Sequence, residues 1–377
     1  MSSVVPFRVE ISASQIHDLK SRLELTRLPE RETVDDWSQG APLEYVRDLL
    51  AYWKDDYDMT RLEPRLNAFP QFTTTVDGLD IHFIHARSAE PGARPLLLTH
   101  GWPGSVVEFL DAIPLLTDPV RHGGASADAF HVICPSLPGY GFSAKPSRTG
   151  WSVDKIALAF AELMRRLGYD GYFAQGGDWG SAVTTAIAIQ DPERCRAIHL
   201  NMVAAQPTPE QLQDPTEAEK HALTKLSYYR DWDSGYAKQQ STRPQTIGYS
   251  LTDSPAGLLA WIVEKFWSWT DSDGDPLNVL SKDQMLDNVM VYWINAAGAS
   301  SARLYWESLR QFSRGEVTAP TGVSIFPKEI IQTSRGWAEN RYKNIIYWQD
   351  VARGGHFAAF EQPQLFAEEL RRFFSQV

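Results

Sequence analysis

The run Gly176-Gly177-Asp178-Trp179-Gly180 places a carboxylate where a sharp strand-to-helix turn would hold a nucleophile. In the G-x-S-x-G elbow such a turn lifts one side chain above the end of a parallel sheet. The flanking glycines avoid side-chain clashes and tolerate unfavourable dihedrals. Here the apolar stretch Tyr172-Phe173-Ala174-Gln175 precedes the turn, and small residues from Ser181 to Ala188 follow it. A lone Gly-Asp pair marks an ordinary turn; the strand before and the helix after are what give Asp178 the setting of a nucleophile. Such a carboxylate would form an ester with an electrophilic carbon, and water would then have to cleave that ester.

Ester cleavage needs a base, and the base needs an acid to orient it. With an elbow of this type the order along the chain is nucleophile, acid, histidine. Of nine histidines only His199, His221 and His356 follow Asp178. His199 lies in a strand-like run and His221 in a helical one. His356 follows the last strand, in Arg353-Gly354-Gly355-His356-Phe357, where a Gly-Gly turn is expected to free the ring. The acid should follow the penultimate strand, and Glu329 is the first carboxylate there; Glu316 precedes that strand, Asp350 comes too late and Glu361 lies beyond the histidine. A tetrahedral oxyanion needs backbone N–H donors. One is expected from Trp179, directly after the nucleophile, and the other from Trp102 in His100-Gly101-Trp102-Pro103-Gly104, because Pro103 has no N–H. The tight turn that aims this donor predicts a cis Trp102–Pro103 peptide. His100 is read as structural. A serine esterase is disfavoured, since Ser181 lies in the helix and not at the tip.

The elements that must position these groups follow from periodicity. Residues 1–90 read as an N-terminal extension, with a helix opening at Ser12 and an Ile16/Leu19/Leu23 stripe, a second helix from Pro42, and a β-hairpin across Asp77-Gly78. Trp37 and Trp53 there need a partner surface. Residues 91–205 and 317–377 alternate buried strands with helices, the signature of an α/β fold with a mostly parallel sheet. Residues 206–316 carry no strand pattern and are rich in aromatics, as expected of a helical cap over a site.

Composition sets the outer limits. The chain has 377 residues, 43% hydrophobic and 22% charged, which is ordinary for a globular protein. A net charge of −11 argues against a nucleic-acid partner, which would need a basic face. No apolar run reaches the length of a membrane span. Residues Met1 to Glu10 do not resemble a signal peptide. Cys134 and Cys195 sit in apolar runs and are expected to be buried free thiols, so the expected location is cytoplasmic. Thirteen tryptophans suit either an aromatic-lined pocket or an aromatic core. No metal or cofactor is called for, and a homodimer is compatible with the sequence.

His100-Gly101-Trp102-Pro103-Gly104-Ser105, the elbow at Asp178, Pro138-Gly139-Tyr140-Gly141-Phe142-Ser143 and Gly354-Gly355-His356-Phe357 together resemble the α/β-hydrolase-fold epoxide hydrolases. The similarity runs over nearly the whole chain and points to the microsomal-type branch with its N-terminal extension, although an N-terminal membrane anchor is not expected here. The resemblance implies conversion of an epoxide and water to a vicinal diol through an alkyl ester on Asp178, without a cofactor. It also places the acid on Glu329 and implies two tyrosines, Tyr236 and Tyr305, that hydrogen-bond the epoxide oxygen. The aromatic-rich cap suggests a bulky or aryl epoxide. The nearest rival is a haloalkane dehalogenase, which shares the Asp nucleophile and the Trp after it; a hydrolase scaffold reused for ligand binding is another.

Overall fold

The computed structural model describes residues 3–309 and 315–377. Its described strands form one sheet: β1 (Val5–Phe7), β2 (Gln71–Val76), β3 (Leu79–Ala86), β4 (Arg94–Thr99), β5 (Phe130–Pro135), β6 (Tyr172–Gly176), β7 (Cys195–Leu200), β8 (Thr321–Ile325) and β9 (Ile345–Asp350). Their order is β1-β2-β3-β5-β4-β6-β7-β8-β9. From β5 to β9 every neighbour is parallel, whereas β1, β2 and β3 join antiparallel at one end. The predicted hairpin is therefore a continuation of the main sheet. Its two-residue turn has Asp77 at φ 50° and Gly78 at φ 79°, the pairing that matches strand twist in tight hairpins. Central strands are covered on both faces, which explains their unbroken apolar runs: Leu96, Leu97 and Leu98 of β4 are all fully buried. Each such side chain contributes about 1.5–3 kcal/mol.

Between β7 and β8 the described residues contain helices only, among them Glu217–Tyr228, Gly235–Thr242, Pro255–Trp269, Lys282–Ile294 and Gly298–Ser308. Residues 310–314, at the end of the segment read as a cap, lie outside the described residues. The N-terminal helix Ala13–Glu24 opens with a capping box between Ser12 and Gln15, and Leu43–Asp55 starts after Pro42. Both pack on the helix Pro255–Trp269. Trp37 finds its partner surface there, stacked on Trp267 at 5.0 Å and 3°, and Trp53 is fully buried. A polar tie adds to this packing. The buried Asp287 carboxylate accepts from Tyr57 Oη at 2.7 Å and Arg61 Nε at 3.3 Å, and pairs with Arg65. Among the described residues no helix is long and apolar enough to cross a membrane.

Candidate active site

Asp178 stands at the junction of β6 and the helix Asp178–Gln190, with φ at 49°. For a non-glycine residue this left-handed conformation costs on the order of 1–3 kcal/mol and persists only where the surroundings enforce it. Two glycines make the turn possible by close approach. A Cβ on Gly176 would lie 2.1 Å from the Gly180 carbonyl oxygen, and one on Gly180 would lie 1.8 Å from that of Thr99. A Cβ on Gly101 would meet Asp178 Oδ1 at 2.1 Å, so the backbone after β4 can come up against the carboxylate. There the Trp102 N–H donates to Asp178 Oδ1 at 2.8 Å. The Trp102–Pro103 peptide is cis, as the turn predicted. Trp179 occupies the first turn of the helix, whose amides face its N-terminal end. Ser181 is buried and its hydroxyl donates to the Met202 carbonyl, which removes it from any nucleophilic setting. His100 holds the neighbouring turn, its Nδ1 2.9 Å from the Gly101 carbonyl oxygen and its Nε2 accepting from Leu137 N–H at 3.2 Å. Burial pushes its pKa down to about 4, leaving it neutral.

On the other side of the carboxylate stands His356, its Nε2 3.3 Å from Asp178 Oδ2 and its Nδ1 2.7 Å from Glu329 Oε1. Glu329 is fully buried, and the same Oε1 accepts the Ile330 N–H at 2.7 Å. The structure thus brings the three residues predicted from chain order into one line. Burial opposes a charged His356, but the carboxylates of Glu329 and Asp178 outweigh it and hold the imidazole pKa well above its ordinary value. One expectation is corrected: the Gly354-Gly355 turn does not free the ring. His356 is only 5% exposed. Gly354 supplies a φ of +106° and Gly355 lets the loop close on the helix end, since a Cβ there would lie 2.4 Å from the Trp269 carbonyl oxygen. That same oxygen accepts the His356 N–H at 2.8 Å, and the Trp269 ring packs edge-on against the imidazole at 4.9 Å.

The tyrosines implied by resemblance come from two helices of the helical block, and both are buried beside this line. Tyr236 stacks on Trp102 at 4.8 Å and 10°, and meets Tyr305 edge-on at 5.7 Å. Tyr305 packs edge-on against Trp179 at 4.8 Å. Its buried hydroxyl donates to no acceptor among the described residues. Tryptophan, tyrosine and histidine rings thus wall the site, so part of the aromatic richness lines a functional surface.

Sequence reasoning missed three contributors. Tyr229 hydrogen-bonds Tyr236, oxygen to oxygen, at 3.0 Å. Trp269 packs on both Tyr236 and His356. Glu108 lines, with Asp178, His356, Trp102 and Ala359, a cavity of about 20 Å³, room for about one water molecule. Burial raises the Glu108 carboxyl to about 8, with the Asp178 charge adding to the rise and His356 opposing it.

The sheet, the elbow and the line of Asp178, His356 and Glu329 define an α/β hydrolase. Comparison with known proteins agrees: the model of the alpha/beta hydrolase fold matches residues 94–244, and that of the epoxide hydrolase N terminus matches residues 4–109. A protein of Stigmatella aurantiaca, named provisionally as an epoxide hydrolase, is 54% identical over 99% of this chain and 85% of its own length. Epoxide hydrolase 1 of Sus scrofa is 39% identical over 98% of this chain and 88% of its own. Among solved structures, Aspergillus niger epoxide hydrolase superposes with a TM-score of 0.89 at 34% identity, covering 100% of this chain and 97% of that one. The juvenile hormone epoxide hydrolase of Bombyx mori gives 0.86 at 35%, covering 100% and 94%. The chain belongs to the epoxide hydrolase family.

Proposed function

We propose that this enzyme opens an epoxide with water to a vicinal diol in two steps, using only its own side chains and water. Asp178 attacks a ring carbon, and the C–O bond breaks as the carbon–carboxylate bond forms. Tyr236 and Tyr305 donate hydrogen bonds to the leaving oxygen, stabilising the charge that develops there. Alkylation neutralises Asp178, so His356 loses one of the two carboxylates that support its proton and releases it. The proton lost by the imidazole balances the one the alkoxide needs. The neutral imidazole, oriented by Glu329, then takes a proton from water, which attacks the ester carbonyl carbon. The Trp102 and Trp179 amides hold the resulting oxyanion, and collapse frees the diol and regenerates the Asp178 carboxylate beside a protonated His356.

The observation that carries this reading is the two-sided pairing of His356, 2.7 Å from Glu329 and 3.3 Å from Asp178, with the Trp102 amide 2.8 Å from the other Asp178 oxygen. The helices of 206–316 act as a cap on the units 91–205 and 317–377, with 1–90 packed alongside. Support comes from the rings of Tyr236 and Tyr305 seated on Trp102 and Trp179. The aromatic wall favours a bulky or aryl epoxide. A cytoplasmic location is supported by Cys134 and Cys195, both buried and unpaired, the usual state in a reducing compartment. The test is turnover of purified protein on terminal, aryl and fused-ring epoxides alongside haloalkanes. Diol from an epoxide without halide release is expected; halide release alone would replace this reading with dehalogenation, and no turnover of either class would replace it with ligand binding.

A further inference from the structure

Tyr236 and Tyr305 sit in unlike surroundings. The Tyr236 hydroxyl is 3.0 Å from that of Tyr229, whereas the Tyr305 hydroxyl donates to no acceptor among the described residues. Tyr229 opens the π-helical turn Tyr229–Asp233, directly before the helix that carries Tyr236. Such wide turns cluster at functional sites. The same turn ends in Asp233, which accepts Trp269 Nε1–H at 2.6 Å and Lys265 Nζ–H at 3.2 Å. That buried ammonium lies 4.6 Å from the centre of the Tyr236 ring. Tyr236 therefore has a hydroxyl neighbour and an ammonium paired with Asp233 and Glu264, while Tyr305 has the Trp179 side chain as hydrogen-bond partner and ring contacts to Trp102, Trp179 and Tyr236.

We propose that Tyr229 is a positioning residue for ring opening: it donates its O–H to the Tyr236 oxygen while Tyr236 donates to the epoxide oxygen, and so strengthens the hydrogen bond that Tyr236 gives to the developing alkoxide. The inference rests on the reading above, in which Tyr236 faces the reacting oxygen. Chained hydrogen bonds strengthen one another, so a Tyr236 oxygen that accepts from Tyr229 makes its own O–H the stronger donor. Either hydroxyl can donate in this pair; burial pushes the Tyr229 pKa up to about 12, so it keeps its proton at neutral pH. As the C–O bond breaks, Tyr236 keeps its proton in a hydrogen bond to the alkoxide, since burial holds its pKa well above the ordinary value. The alkoxide then takes the proton that His356 releases, so no further reactant is needed.

The test is single-turnover measurement of alkylation and of ester hydrolysis in Tyr229→Phe, Tyr236→Phe, Tyr305→Phe and the two double variants that contain Tyr229→Phe. Tyr229→Phe should slow alkylation about three- to tenfold, the size of one neutral hydrogen bond, and leave ester hydrolysis nearly unchanged. The loss should persist in the Tyr305→Phe background and vanish in Tyr236→Phe. It should also shrink for an epoxide whose alkoxide is stabilised by a trifluoromethyl group, a dependence that a packing role would not produce. Equal slowing of both steps, or an undiminished loss in the Tyr236→Phe background, overturns the inference. So does an unchanged Tyr229→Phe enzyme while Tyr236→Phe is slow. Wild-type alkylation by Tyr236→Phe would instead overturn the placement of Tyr236 at the reacting oxygen, and the inference with it.

Discussion

His356 Nε2 faces Asp178 Oδ2 at 3.3 Å, so the proposed base stands beside a proposed nucleophile that it does not need to deprotonate. An aspartate is ionised at neutral pH. The histidine is therefore required only after the ester exists. His356→Gln should form the alkyl ester and fail to release it. Intact-protein mass spectrometry after mixing with epoxide should show a stable adduct of substrate mass. A folded variant that forms no adduct would place His356 in the first step and undo the order of events.

The same order of events predicts the route of oxygen. In the proposed mechanism water attacks the carbonyl carbon of the Asp178 ester, so one carboxylate oxygen leaves with the product. A single turnover in heavy-oxygen water should leave label in the peptide containing Asp178 and give an unlabelled diol. Label in the first-turnover diol means direct attack of water on the epoxide, with Asp178 as its base.

Asp178, Glu329 and His356 were legible because each is marked by local chain order: an elbow with required glycines, the first carboxylate after one strand, and a histidine after the last. The strands of the sheet were legible for a similar reason, since doubly covered β4 and β6 show unbroken apolar runs. Glu108 gave no such signal. It is one acidic residue in a short helical turn, and its relation to Asp178 exists because Gly104 has no side chain: a Cβ there would lie 1.4 Å from Glu108 Oε1. Tyr229 escaped because a π-helical turn shifts the register between it and Tyr236, and three- and four-residue spacing does not anticipate that contact. The Gly354-Gly355 pair was read as freedom for the ring when it serves close approach, a distinction that needs the position of Trp269.

As proposed donors to the epoxide oxygen, Tyr236 and Tyr305 gain importance as alkoxide character grows, so their bonds count more in the transition state than in the bound substrate. Replacement of either by Phe should slow alkylation by on the order of tenfold to a thousandfold, the range for a lost transition-state donor, and affect ester hydrolysis less. Rapid-quench measurement of the two steps separates these effects. Equal slowing of both steps in each variant would return the two rings to a packing role.

Glu108 links the site to stability. Burial raises its carboxyl from the ordinary 4.5 to about 8, with Asp178 adding to the rise and His356 opposing it, and burial raises Glu361 to about 7. A carboxyl whose folded pKa lies above its unfolded value binds its proton more tightly in the folded state. The folded state is therefore not penalised below about pH 4.5, loses stability as pH rises through the interval up to about 8, and loses no more above it. Glu108→Gln keeps the shape and donor of the neutral acid and cannot ionise. The urea midpoint of this variant relative to that of the wild type should rise from about pH 5 to about pH 8 and then level off, with the variant the more stable at the alkaline end. Parallel curves would mean that the Glu108 carboxylate is solvated in the folded protein, which would also remove it from the wall of the cavity beside Asp178.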